Sequence, residues 1–134
     1  MWPPSALFTF YSIDLSSRAA MDHAKEFVEN KIHSNKVCVF SKSYDNNCKQ
    51  ARAALNSFQL GPDVLSWIEI ENRGDCEEIQ SYLKQLTGDM SLPRVFINGE
   101  FIGGADDTLR AKENGSLERT LEEIGAIDHF TTWF

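Results

Sequence analysis

Three cysteines are the most reactive side chains of this 134-residue sequence, and each lies in a different local setting. Cys38 lies within an apolar run, Cys48 follows a short polar turn, and Cys76 lies in the first turn of a predicted helix. A thiol acts as the thiolate, which a helix N-terminus favours and apolar burial disfavours. No CxxC or CxxH pair is present, so a zinc site is not expected. An odd number of widely spaced cysteines does not fit a disulfide framework, and a reducing compartment is expected.

The segment Asp45-Asn-Asn-Cys48 brings a carboxylate and a thiol to a turn between a predicted strand and a predicted helix. Aspartate is a strong helix N-cap, because its carboxylate accepts a hydrogen bond from one of the first free N–H groups. Cys48 lies three residues further along, about 4.5 Å up the helix, on the apolar stripe with Ala51 and Leu55. The sequence therefore predicts a buried, mostly protonated thiol at Cys48.

Hydrophobic periodicity predicts a single α/β domain around this turn. The elements are predicted, in chain order, as a helix at 23–32, a strand at 36–40, a helix at 48–58, a strand at 64–70, a third helix, strands at 94–98 and 100–102, and two helices capped by Asp106 and Ser116. The third helix is predicted to begin at Asp75, which with Glu78 resembles a capping box, and to end at Gly88 in a left-handed conformation. A βαβ unit followed by a ββα unit gives one mixed four-stranded sheet with helices on both faces. Asn98-Gly99 predicts the tight turn of a hairpin.

Charge and hydropathy exclude two classes of partner. The sequence has 13 basic and 20 acidic residues, a net charge of −7, which argues against nucleic-acid binding. No run of about 18 apolar residues exists, so no membrane partner is expected.

Residues 1–20 fit neither a signal peptide nor a mitochondrial presequence. We expect residues 1–20 to be a variable, poorly ordered extension, 128–134 to be a tail, and the protein to be cytoplasmic, with mitochondrial import as the alternative.

Five separated segments carry a shared pattern: Val37-Cys-Val-Phe-Ser-Lys-Ser-Tyr44, Cys48-Lys-Gln-Ala51, Glu78-Ile-Gln-Ser-Tyr-Leu83, Leu92-Pro-Arg-Val-Phe-Ile-Asn-Gly99 and Gly103-Gly-Ala-Asp-Asp107. In their order and spacing they resemble the glutaredoxin family, from about residue 24 to 127. The resemblance implies a thioredoxin-like fold for a domain at 21–127. It also implies a groove for glutathione, as ligand or co-substrate, and glutathionylated proteins as partners.

Glutathione is a small peptide with two carboxylates and one amine, so its groove needs an extended backbone edge, cationic or helix-terminal donors, and an acid. The resemblance implies that Pro93 is a cis proline, and that the backbone of Leu92 pairs with the tripeptide like an added strand. It places Lys42 and Gln80 at the glycine carboxylate of glutathione. Tyr44 is expected to flank the groove.

The other end of the implied groove lies at the start of a helix. Gly104 would allow close approach of the backbone to the ligand. Asp106 and Asp107 open a helix whose free N–H groups can bind the γ-glutamyl carboxylate, while an acid meets the amine.

The sequence departs from the family at the reactive position. Asp45 stands where glutaredoxins carry the nucleophilic first cysteine, and Cys48 aligns with the second, resolving cysteine. A carboxylate cannot form a mixed disulfide, so the first step of thiol–disulfide exchange is missing. Iron–sulfur ligation in the family also uses the first cysteine, so we expect no cluster and no other metal.

Three functions therefore remain open. The sequence favours a glutathione-binding relative in which redox catalysis is weak or lost. The second is an active glutathione-dependent disulfide oxidoreductase, or deglutathionylating enzyme, with Cys48 as the catalytic thiol. The third is a non-catalytic interaction module that binds a protein and ignores glutathione.

Overall fold

The structure is a computed structural model that describes the backbone of residues 4–128 and the side chains of residues 18–128. Its elements are, in chain order, α1 (Pro4–Ser34), β1 (Val37–Ser41), α2 (Asn46–Asn56), β2 (Leu65–Glu69), α3 (Cys76–Thr87), β3 (Arg94–Ile97), β4 (Glu100–Gly103), α4 (Ala105–Glu113) and α5 (Ser116–Glu123). None of the helices in this part of the chain is both long and apolar enough to cross a bilayer.

The four strands form one mixed sheet in the order β2-β1-β3-β4. β1 pairs in parallel with β2 and antiparallel with β3, and β3 forms an antiparallel hairpin with β4. Asn98 and Gly99 close this hairpin with φ values of 53° and 82°. Two consecutive positive φ values match the twist of a two-residue hairpin, so the predicted turn and the predicted sheet are both confirmed.

Side-chain alternation along β1 divides the core into two layers on opposite faces of the sheet. Val37 and Val39 pack on one face with Leu55 of α2, and with residues of β3 and α5. Cys38 and Phe40 pack on the other face, with residues of α1, α3 and β3. The sheet is therefore covered by helices on both faces. This packing fixes the C-terminal end of β1 and the N-terminal end of β3 at one edge of the molecule.

The first helix is longer than the sequence predicted. α1 runs from Pro4 to Ser34 instead of 23–32, so the predicted boundary at residue 20 lies inside this helix. Proline is well accommodated at the first helical position, and neither glycine nor proline follows it up to Ser34. The apolar stripe that predicted 23–32 includes Ala24, Val28 and Ile32, which are buried in the core. The predicted tail at 128–134 lies outside the described residues beyond Asp128.

Two predicted helix caps differ from the structure. Asp75 makes no side-chain cap on α3; its carboxylate instead binds Arg73 at 2.8 and 3.0 Å. Ser116 is the first residue of α5 and not its cap, which is Gly115. The Arg73 guanidinium engages the Asp75 carboxylate, and the Ser116 hydroxyl donates to the carbonyl of Ala111 at 3.4 Å instead of capping α5.

Candidate functional site

A groove with a volume of about 210 Å³ lies between the start of β3 and the start of α4. It collects side chains from three separate parts of the chain: the first turn of α2, the loop before β3, and the β4–α4 junction. Five of the predicted site residues meet in it, together with Asn47, Ser91, Arg94 and Ala105; the five are Leu92, Pro93, Gly104, Asp106 and Asp107.

The wall formed by Leu92 and Pro93 presents main chain to the groove. The Leu92–Pro93 peptide bond is cis, and both residues are buried. β3 begins only at Arg94, so Leu92 lies beyond the sheet ladder. Within the described residues, no backbone hydrogen bond of the loops and turns uses the N–H or C=O of Leu92. These two groups are therefore available to a ligand that binds like an added strand.

The opposite wall is the N-terminus of α4. Gly104 is the N-cap, and Asp107 accepts a hydrogen bond from its N–H at 3.3 Å. The predicted role of Asp106 as the cap is therefore wrong: α4 begins at Ala105, and its cap, Gly104, lies two residues before Asp106. The first N–H groups of a helix have no partner within the helix and carry partial positive charge. This end of the groove thus combines free N–H donors with exposed carboxylates.

The turn before α2 is closed by Asp45. Its carboxylate accepts a hydrogen bond from the backbone N–H of Cys48 at 3.1 Å, and its backbone is extended, with φ −80° and ψ 127°. Asp45 thus forms the N-cap expected from the sequence. Asp45 is half-buried and, as the N-cap, immediately precedes the first residue of α2.

Cys48 is 2% exposed and packs in the core layer of α1 and α3. Burial, followed by the nearby charge of Asp45, raises the pKa of its thiol. The backbone N–H of Lys42, 3.5 Å from Sγ, opposes this rise. The Ser41 hydroxyl has no hydrogen-bond acceptor, but it would donate to a Cys48 thiolate and has a smaller opposing effect. The thiol at Cys48 is therefore protonated at neutral pH, as predicted.

Lys42, Tyr44 and Gln80 lie on neighbouring elements and not in the wall of the 210 Å³ groove. Lys42 and Tyr44 belong to the β1–α2 turn, where Tyr44 is 66% exposed. Gln80, on α3, donates a hydrogen bond to the carbonyl of Met90 at 3.1 Å, which ties α3 to the loop before Leu92.

The Lys42 ammonium lies in a mixed electrostatic setting. Ser43 donates to the Glu71 carboxylate through both its N–H and its hydroxyl. These bonds, and to a smaller extent the charge of Lys42, lower the pKa of Glu71. The cation at Lys42 therefore has an anionic neighbour at the end of β2 and remains half-exposed.

The turn does not fit an iron–sulfur cluster. Such clusters are held by thiolates. Asp45 contributes a carboxylate that is already engaged as a cap, and Cys48 is buried with a raised pKa. No group of three or more potential metal ligands occurs among the residues that the structure describes.

Arg94 is one of the groove residues that sequence reasoning missed. It is the first residue of β3, whose four residues are all buried. A cation at the start of an otherwise apolar strand was the available signal, because lysine and arginine are rarely buried without a partner.

The family model Glutaredoxin matches residues 37–102. The chain is 40% identical over 120 residues to Glutaredoxin-C4 of Arabidopsis thaliana, covering 90% of this chain and 85% of that protein. Oxidized glutaredoxin 2 from Chlamydomonas reinhardtii has a TM-score of 0.75 at 45% identity, covering 80% of this chain and 98% of that one. A buckwheat glutaredoxin–glutathione complex has a TM-score of 0.76 at 31% identity, covering 82% and 97%. The predicted thioredoxin-like fold is thereby confirmed.

Proposed function

Because this chain belongs to the glutaredoxin family of glutathione-dependent thiol oxidoreductases, we propose that it binds glutathione non-covalently and catalyses thiol–disulfide exchange weakly or not at all. The observation that carries the proposal is Asp45, whose carboxylate caps α2 at the position of the family's nucleophilic thiol. The same chain retains the groove beside this position.

The chemistry of the groove supports glutathione as the ligand. The free main chain of Leu92 suits the extended backbone of a tripeptide. The N-terminus of α4 suits a carboxylate, and the exposed acids Asp106 and Asp107 suit an amine. The related buckwheat protein has been seen in complex with glutathione.

The missing step is the formation of the mixed disulfide. In exchange, a thiolate attacks one sulfur of a disulfide, forms a new S–S bond, and expels the other sulfur as a thiolate. A carboxylate oxygen has no equivalent reaction that yields a disulfide. Asp45 therefore preserves the helix cap but removes the atom on which turnover depends.

Cys48 is a poor substitute for the missing nucleophile. It is 2% exposed, and its raised pKa leaves little thiolate near neutral pH. Asp45 contributes to this, because a carboxylate next to a thiol disfavours a second negative charge. The remaining hypothesis, an interaction module that ignores glutathione, is distinguished by the binding experiment below.

Lys42→Ala is expected to weaken glutathione binding about tenfold, since a lost charge-assisted hydrogen bond amounts to roughly 1.4 kcal/mol or more. Isothermal titration with reduced glutathione measures this directly. Lys49→Ala, which removes an exposed lysine from α2, is the matched control and should bind like the natural chain. Failure of the natural chain to bind at millimolar glutathione would refute the proposed function and favour the interaction module.

Cys48→Ser is expected to leave turnover of a small glutathione mixed disulfide at the rate of the natural chain. The thiol is buried and its pKa is raised, so its alkylation by iodoacetamide should become appreciable only at a pH above the usual thiol range. Mass spectrometry should show the half-buried Cys76 alkylated before Cys48 at pH 7. A clear turnover rate that disappears in Cys48→Ser would instead establish Cys48 as the catalytic thiol.

A further inference from the structure

The guanidinium of Arg94 is a buried cation beside the groove. The residue is 8% exposed and contributes to the groove wall. Its Nη2 donates to the Ser91 hydroxyl at 3.0 Å, and its charge lies 5.0 Å from the centre of the Phe101 ring. Its Nε has no hydrogen-bond partner. In the described part of the chain, no carboxylate forms an ion pair with Arg94.

A buried charge without a partner is unfavourable, because the lost hydration is not replaced. The nearest compensation is indirect: Ser91 also donates to the exposed carboxylate of Asp89 at 3.0 Å. Arg94 lowers the pKa of Asp89, but only as the smallest of the causes. The stacked, hydroxyl-bound guanidinium is thus held in one orientation, with its charge still uncompensated by a direct anion.

The same guanidinium lies under the N-terminus of α4. A Cβ placed on Gly104 would lie 3.4 Å from Nη2 of Arg94 and 3.4 Å from the Pro93 carbonyl oxygen. Gly104 precedes the free N–H groups of a nine-residue helix. Two independent sources of positive potential, a fixed cation and a helix N-terminus, therefore meet at one end of the groove.

We propose that Arg94 determines ligand specificity by recognising the carboxylate of the γ-glutamyl end of glutathione, jointly with the N-terminus of α4. The inference rests on the proposed function, since it requires glutathione in this groove. The ligand carboxylate supplies the anion that Arg94 lacks among the residues that the structure describes. The adjacent ligand amine then faces the exposed acids at the start of α4. The cation of Arg94 and these acids together therefore recognise an α-amino acid group, which carries both charges, and not a simple anion.

Titration of two ligands against four forms of the full chain tests this assignment. The ligands are glutathione and an analogue in which 4-aminobutyrate replaces the γ-glutamyl residue, which deletes only the carboxylate. The chains are the natural protein, Arg94→Gln, Arg94→Lys and the control Arg119→Gln. Arg119 is an exposed residue of α5, so its variant matches the loss of charge away from the groove.

Arg94→Gln should weaken glutathione binding about tenfold, since hydrogen bonds to charged groups contribute on this scale, and should change analogue binding less than about twofold. Arg94→Lys should bind glutathione with an affinity between those of the natural chain and Arg94→Gln, because lysine keeps the charge but lacks the planar guanidinium group. Arg119→Gln should bind glutathione normally.

Equal losses for both ligands would show a structural role and overturn the assignment, as would unchanged glutathione binding by Arg94→Gln. A natural chain that fails to bind glutathione refutes the proposed function itself, and the assignment with it.

Discussion

Replacing Asp45 with cysteine is expected to raise turnover of a small glutathione mixed disulfide by roughly a thousandfold, since a missing nucleophile is among the largest single losses an enzyme can suffer. The new thiol would lie at the N-cap of α2, where the helix N-terminus stabilises a thiolate. It would not share the burial of Cys48. A coupled assay of glutathione disulfide production measures the gain.

Asp45→Ser is the matched control for this experiment, because a serine hydroxyl still caps the helix but performs no disulfide exchange. It should remain at the rate of the natural chain. The double variant Asp45→Cys with Cys48→Ser should keep the gain, since the first thiol alone forms the mixed disulfide with glutathione. Asp45→Cys also loses the carboxylate cap, for which we expect a free energy of unfolding lower by about 1 kcal/mol. A variant that binds glutathione yet stays inactive would show that more than the sulfur is missing.

Gly103→Ala is expected to lower the free energy of unfolding by about 3 kcal/mol and to weaken glutathione binding, since it combines backbone strain with a steric clash. Gly103 has a φ of 133°. A Cβ at this position would overlap Cβ, Cγ and Oδ2 of Asp107. Because Cβ of Asp107 is fixed to α4, the helix start would have to move, and with it the N–H groups that line the groove.

Gly88→Ala separates strain from clash in this prediction. Gly88 has a φ of 91°, but an added Cβ would meet no atom within 4 Å. Its cost should therefore be the strain alone, about 1 kcal/mol. Chemical denaturation of both variants gives the free energies, and titration gives the affinities. Similar losses for Gly103→Ala and Gly88→Ala, with glutathione binding intact in both, would contradict the role assigned to the Gly103–Asp107 contact.

Local patterns in the sequence predicted most of the fold correctly. The continuous apolar run of β1, the Asn98-Gly99 turn and the left-handed end of α3 at Gly88 each depend on neighbours within a few residues. The two core layers follow once the sheet forms, because successive side chains of a strand point to opposite faces. These features were predictable because burial and turn geometry act on short segments.

Local patterns were wrong where two nearby groups compete for one partner. Asp75 has the sequence of a helix cap, but the Arg73 guanidinium binds its carboxylate. Asp106 was predicted to cap α4, but it lies inside the first turn, because Gly104 is the cap and its N–H donates to Asp107. The length of α1 was underestimated, because the prediction rested on the apolar stripe at 23–32, which covers only part of the helix.

The amino-acid sequence alone determined that a carboxylate, Asp45, stands three residues before Cys48 at the turn into α2, since this is a matter of chemical identity. Only the tertiary structure decided that Arg94 is buried with no direct anion from residues 18–128, and that it lies beside the N-terminus of α4. The physical reason is that burial and electrostatic compensation depend on which distant segments pack together. Ten residues separate Arg94 from Gly104, and the β3–β4 hairpin brings the two into contact.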